Sequence, residues 1–253
     1  MKQVLATLAR LTALVLLCAL ALQLYFLARV LLMGVVDPQS TTFQRSEAWR
    51  LATDKHELRW SHEWVPYDRI SDSLKRAVIA SEDAGFSEHS GVEWDAVEKA
   101  WERNQSAEAR AERANARAGE QRRPARAPTP PKVVGGSTIT QQLAKNLFLG
   151  GERSLARKGQ EFVITLMLEA VLGKQRILEV YLNSVEWGEG VFGAEAAARH
   201  YFRVGADKLA PLQAAQLSVM LPAPKRFEKR PHSPYVLGRA ATVAARMGSV
   251  ELP

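Results

Sequence analysis

Two adjacent carboxylates stand in the run Ser81-Glu82-Asp83-Ala84-Gly85-Phe86-Ser87-Glu88-His89-Ser90-Gly91. A carboxylate held near an aromatic ring and an imidazole, and shielded from water, can act as a general base or acid; left on the surface it does neither. A second run reads Gly135-Gly136-Ser137-Thr138-Ile139-Thr140-Gln141-Gln142-Leu143-Ala144-Lys145-Asn146-Leu147. Glycines ahead of a helix let its first amides and hydroxyls approach an anion, and Thr138, Gln142 and Lys145, spaced by four and three, fall on one face. The lysine is not where a nucleotide-binding phosphate loop needs it, so an ATP site matches poorly, and a capped polar helix is the plain alternative. In Arg157-Lys158-Gly159-Gln160-Glu161 the first and last residues lie one helical turn apart and could be an exposed ion pair. Lys174 to Asn183 reads as an amphipathic structural helix. Taken separately, none of these blocks identifies an enzyme.

The elements that must carry them are mostly helices. Ser71 or Asp72 caps a helix that delivers Glu82-Asp83 to its C-terminal end, an unfavourable place for acids because the helix dipole is negative there. Ser137 or Thr138 opens a helix through Leu147, and further helices cover Arg157–Leu172, Lys174–Asn183, Gly193–Tyr201 and Pro211–Leu221. Strand signals are sparse, the best being His56–Trp64 and Lys132–Val134. The fold class expected is therefore mainly α.

The chain has 253 residues, 47% hydrophobic and 24% charged, which excludes a wholly disordered or multi-span membrane protein. The lone cysteine, Cys18, excludes an internal disulfide or a cysteine-based metal site. No charge interrupts Leu11 to Ala28, and with Arg29 snorkelling the span can run from Leu11 to Met33, long enough to cross a bilayer. The run is longer than a cleavable signal peptide needs and lacks a small-residue cleavage site, so residues 1–36 are expected to remain as an anchor. Lys2 and Arg10 precede the span and Arg29 alone follows closely, which puts the N-terminus in the cytoplasm and residues 37–253 outside. Residues 104–132 hold six Arg and one Lys against three Glu and no large apolar side chain. They are expected to be a disordered basic insert, either a solvated linker or a segment lying against acidic lipid headgroups. Without aromatic residues among these arginines to stack on bases, nucleic acid is not an expected partner.

In this order the blocks resemble the peptidoglycan glycosyltransferases of family 51, found in class A penicillin-binding proteins and as monofunctional transglycosylases. The likeness runs from about Trp60 to Arg230. It includes Val65-Pro66-Tyr67, Ala77 through Asp83 with Phe86, His89 and Gly91, Gly136 through Asn146, Arg157-Lys158 with Glu161, Ile177-Leu178-Glu179 with Tyr181-Leu182-Asn183, and Gly190 through Ala197. After the last motif there is no Ser-x-x-Lys acylation motif and no room for a transpeptidase domain, so the monofunctional type is expected.

The resemblance implies a lysozyme-like domain, held by one transmembrane helix, that polymerises lipid II into β-1,4-linked glycan and releases undecaprenyl pyrophosphate. It implies that Glu82 is the general base and Glu161 a second essential acid, with Lys145, Arg157 and Lys158 at the donor pyrophosphate. Asp83, Phe86, His89, Thr138 and Gln142 would shape the cleft, while Glu179 and Asn183 would be structural. No resident metal site is expected, although a divalent cation, magnesium or manganese, has a place at the pyrophosphate. Expected partners are lipid II, the growing lipid-linked glycan, membrane lipids and other cell-wall synthesis and division proteins. A lytic transglycosylase and a silent cell-wall scaffold are the alternatives. The long basic insert departs from the family's shorter, more apolar segment, which puts membrane engagement of that segment in doubt.

Overall fold

The computed structural model describes residues 2–56, 59–95, 98, 102, 103, 105–107, 109, 110, 136–152 and 154–253. Most of the basic insert and the expected strand Lys132–Val134 lie outside them. The described residues at the start of the insert, 105–107, 109 and 110, are helical.

The principal helices are α1 (Lys2–Met33), α2 (Thr42–Arg50), α3 (Asp72–Glu82), α4 (Ile139–Phe148), α5 (Leu155–Val171), α6 (Lys174–Ser184), α7 (Ala194–Phe202), α8 (Pro211–Met220), α9 (Pro224–Phe227) and α10 (Pro234–Arg246). Ser71 caps α3 by accepting the Leu74 N–H, and Thr138 caps α4 with Gln141 closing a capping box. Helix α5 starts earlier than its periodicity suggested because Ser154 caps it. A three-stranded sheet has the order β1 (Ser61–His62), β3 (Val191–Phe192), β2 (Glu186–Gly188), with β1 parallel and β2 antiparallel to β3. Of the long strand expected over His56–Trp64, the described residues form only Ser61–His62. Upstream of it, Leu51–Lys55 forms a π-helical turn and His56 takes a left-handed φ of 54°.

The core forms where α8 lies against α3 and α10, and where α4 lies against α5 and α6. Trp187, Tyr181, Phe86 and Phe192 are fully buried in it. Asn183 ties α6 to the segment before α3, its Oδ1 accepting the Val65 N–H at 3.0 Å and its Nδ2 donating to the Val65 carbonyl at 2.9 Å. Glu179 does the same one turn earlier, accepting the Tyr67 N–H at 3.0 Å.

Helix α1 is not a detached tether. Its 32 residues rise about 48 Å, more than a bilayer core requires, and its C-terminal third packs on the domain. Phe26, Val30 and Met33 are buried there, and Phe26 meets Phe148 edge-on at 5.3 Å. Gln23 and Gln160 exchange two hydrogen bonds, 2.8 and 3.0 Å long, and Arg176 donates to the Met33 carbonyl while pairing with Asp37 at 2.7 Å. A boundary at residue 36 therefore falls after contacts that belong to the domain.

A second polar cluster joins α2 to β2 and α9. Buried Glu47 takes Arg50 and Lys225, Arg50 also reaches Glu189 at 2.8 Å, and Lys225 stands 3.4 Å from Glu186. Burial pushes the Glu186 carboxyl up to about 7, with Lys225 opposing and Glu47 adding to the shift.

Two tests follow from these polar contacts. Gln23→Leu alone strands the Gln160 amide and should cost about 1–3 kcal/mol, whereas Gln23→Leu with Gln160→Leu should melt close to the parent in detergent micelles. Equal losses in the single and double variants would show that the pair does not form. Glu186 keeps its proton in the folded chain up to about pH 7, against an ordinary value of 4.5. The folded state thus binds more protons across that interval, and stability falls as pH rises through it. Glu186→Gln should flatten the fall and match the parent at the acid end, as read by melting temperature against pH.

Candidate active site

The acids at the end of α3 have separate fates. Asp83 is buried, and its Oδ2 accepts the Ile139 N–H at 2.9 Å, the first amide of α4. The residue that α3's C-terminus disfavours thus lies where α4's N-terminus favours an anion. Its Oδ1 faces His89 Nε2 at 2.8 Å, and His89 Nδ1 accepts the Gly91 N–H at 3.1 Å. With Nδ1 accepting, the proton of a neutral imidazole lies on Nε2 and is donated to Asp83. Thr138 completes the junction by donating from Oγ1 to the Gly91 carbonyl at 2.7 Å. Gly91 has a φ of +88°, and a Cβ there would stand 2.7 Å from Thr165 Cγ2, so only glycine fits. Phe86 has no exposed surface: it lies beneath His89, with Lys174 Nζ 4.5 Å from its ring centroid. Asp83, His89, Thr138 and Phe86 therefore build the wall of the site from within.

Glu82 has no such anchor. Gln142 Nε2 donates to its Oε2 at 3.0 Å, and Gln142 Oε1 accepts from the Tyr181 hydroxyl at 2.9 Å, which fixes which way the amide faces. Desolvation raises the Glu82 pKa above the usual glutamate value; the Gln142 bond opposes it and the Asp83 charge adds to it. Tyr181 is fully buried and its pKa is raised well above the ordinary value by burial and by the Glu82 and Asp83 charges, so it stays a donor. Its part in the site was not foreseen. The sequence signal was a tyrosine on the inward face of an otherwise structural helix.

One turn along α4 from Gln142 stands Lys145, and on the neighbouring helix α5 is Glu161. Glu161 is 3% exposed, and both its oxygens are taken: Oε2 by Arg157 at 2.7 Å and Oε1 by Lys158. Lys145 forms no ion pair among the described residues. Its pKa lies below the usual lysine value, desolvation being the largest cause; Glu161 opposes that shift, and Arg157 and Lys158 reinforce it. Three cations thus gather about one buried carboxylate, an excess of positive charge suited to a multiply charged anion.

The donor sets also bear on metals. Asp83, His89 and Glu93 bring ligand atoms within 4.8 Å of one another. The His89 nitrogen facing that group carries a proton, and both Asp83 oxygens are bonded, so the cluster does not fit a resident ion as arranged. Magnesium or manganese at Glu161 would share its oxygens with Arg157 and Lys158.

A family model described as transglycosylase matches residues 52–115 and 125–248. The chain belongs to that transglycosylase family. Its relatives include a biosynthetic peptidoglycan transglycosylase of Burkholderia thailandensis, 53% identical over 92% of this chain and 83% of that protein. One of Paraburkholderia xenovorans is 50% identical over 92% of the chain and 88% of its own length, and one of Burkholderia lata 51% identical over 92% and 86%.

Desolvated and held by one amide donor, Glu82 is the carboxylate to remove. Glu82→Gln should abolish turnover, because an amide keeps the shape and cannot accept a proton, while Glu88→Gln, at an exposed position, should be nearly silent. Because the fold disfavours ionised Glu82, the Gln variant should also melt higher than the parent near pH 7, with the gain vanishing below about 4.5. Retained turnover in a folded Glu82→Gln protein would move the base elsewhere. Gln142→Leu removes the bond that lowers the Glu82 pKa and should shift the acid limb of the pH–rate profile upward.

Proposed function

We infer that the chain is a monofunctional peptidoglycan glycosyltransferase, polymerising lipid II into β-1,4-linked glycan strands with release of undecaprenyl pyrophosphate. The observation that carries the mechanism is the pairing, along one face of α4, of a desolvated carboxylate with a cluster of cations. Glu82, made more basic by desolvation, takes the proton from the acceptor's 4-hydroxyl as that oxygen attacks C1 of the donor with inversion. The bond from C1 to the donor phosphate breaks on the opposite side, and its electrons leave with the pyrophosphate. Lys145, Arg157 and Lys158 neutralise that growing charge. Glu161 holds the latter two in place and keeps the cluster from repelling itself apart. Tyr181 and Gln142 orient Glu82, and Asp83, His89, Thr138 and Phe86 fix the helix junction beneath it. A lytic enzyme would need the carboxylate and would have no use for the cations.

The surroundings support a membrane-bound donor. Leu155, Phe162, Val163 and Leu166 stay exposed on α5, the helix that carries Glu161 and packs on α1. An apolar face of this kind beside an apolar span is suited to the acyl–headgroup boundary, where the polyprenyl tail resides. We place the protein as a single-pass component of the cytoplasmic membrane, N-terminus inside, with the catalytic domain on the periplasmic face. Other cell-wall synthesis and division proteins are its expected neighbours. A divalent cation at the pyrophosphate would act by adding charge to the cluster, and no step above depends on it.

Lipid II turnover by the full chain in detergent micelles tests the reading, with glycan strands as the expected product. Alanine at Lys145, Arg157 or Lys158 should each weaken donor use by about one to two decades, corresponding to about 1.5–3 kcal/mol for a charge-assisted contact. Unchanged KM and kcat in all three would remove the pyrophosphate from this cluster.

A further inference from the structure

Apart from the catalytic cleft, a half-open cavity of about 820 Å³ lies among the π-turn after α2, strand β1, the β2–β3 turn, α7 and α9. Its lining includes none of Glu82, Gln142, Lys145, Arg157, Lys158 or Glu161, and nothing from α1 or α5. Four cations, Lys55, Arg59, Lys225 and Lys229, line it against two carboxylates, Glu189 and Glu228. Both carboxylates are already engaged. Glu189 accepts from Arg50 at 2.8 Å, while Glu228 accepts the Glu189 N–H at 2.8 Å and lies 3.4 Å from His200 Nε2. Lys55 and Lys229 enter no ion pair among the described residues, and both are exposed. Lys225 is held by Glu47, so the positive charge offered to whatever enters is that of Lys55 and Lys229.

Besides Ser61 and His200, the rest of the wall is apolar. Leu51 and Val191 contribute aliphatic surface, and the Trp60 ring rests on Phe192 at 4.6 Å and remains 39% exposed. Ser61 donates its N–H to the Gly190 carbonyl at 2.8 Å, and Gly190 has a φ of +74°. A Cβ at Gly190 would stand 2.0 Å from the Arg59 carbonyl oxygen, so the two backbone walls meet as closely as glycine allows. The volume is that of an ordinary small-ligand site.

We propose that this cavity binds the carboxylate end of a peptide, in the form of the peptide branch carried by the glycan substrate or product. The proposal rests on the peptidoglycan reading above. A peptidoglycan unit bears peptides, and a peptide chain ends in a carboxylate on a short, partly apolar backbone. The Lys55 and Lys229 ammonium groups receive the carboxylate, and Trp60, Leu51 and Val191 receive the backbone and small side chains. The pyrophosphate is already served by Lys145, Arg157 and Lys158. A lipid headgroup fits less well, because the apolar helices α1 and α5 contribute nothing to the wall.

The probe is the water-soluble disaccharide–peptide released by cleaving lipid II at its pyrophosphate, with the peptide C-terminus free or amidated. It is titrated calorimetrically into the full chain in detergent micelles. The free acid should bind at least ten-fold more tightly than the amide. Lys55→Glu with Lys229→Glu, changes at two exposed positions, should erase that preference, and Trp60→Ala should weaken both forms. The preference for acid over amide, as distinct from total affinity, should not depend on Glu82 or Lys145, because neither lines the cavity. Equal affinity for acid and amide, no binding by the parent, or a preference that survives in the folded Lys55/Lys229 double variant would each overturn the site. Lipid II turnover measured alongside separates the two failures. A chain that binds the acid selectively without polymerising lipid II refutes the assigned reaction; one that polymerises lipid II without selective binding refutes the peptide site.

Discussion

The Asp83 carboxylate spans two helix ends of opposite polarity, and the active site is arranged around that span. At the end of α3 it opposes the local dipole; at the start of α4 it satisfies an otherwise unpaired amide and meets a favourable one. His89 and Gly91 then lock the loop between the helices onto the same group. Because Asp83 takes the stabilising contacts, its neighbour Glu82 is left with a single amide donor in a desolvated place. The raised basicity of Glu82 is thus a by-product of how its neighbour is anchored.

Helix α4 relates this carboxylate to the cations. Thr138 fixes where the helix begins, and the spacing from Thr138 to Gln142 to Lys145 sets one face. Gln142 meets Glu82, and Lys145 feels the field of Glu161, Arg157 and Lys158 on α5. An insertion or deletion within α4 would rotate one group away while leaving the other, so the two halves of the chemistry share a single helical register.

Much of this was legible in the residues, and the gaps have physical causes. Helix caps at Ser71 and Thr138 and the one-face spacing of α4 depend on local rules, and these appear as expected. The conflict of two acids with α3's dipole was visible, but its resolution through α4 was not, because the partner amide lies 56 residues away. From sequence Tyr181 belongs to a structural helix for the same reason: its hydroxyl partner, Gln142, is distant in sequence. Helices α2 and α10 are absent from the sequence expectation, although Thr41 and Gln44 form a capping box and Ser233 and Pro234 mark the start of α10. Both signals were present and simply short. Strands β2 and β3 are two or three residues long and depend on pairing with each other and with β1, so no alternation could announce them.

The C-terminal third of α1, with Phe26, Val30 and Met33 seated in the core, bears on how the protein can be handled. A version cut after residue 36 to make it soluble would lose three core side chains and the Gln23 partner of Gln160. It would also bare the α5 face that α1 covers. Solubility and an intact core are opposing demands in this molecule, and the detergent or bilayer that satisfies α1 is a structural component of the enzyme.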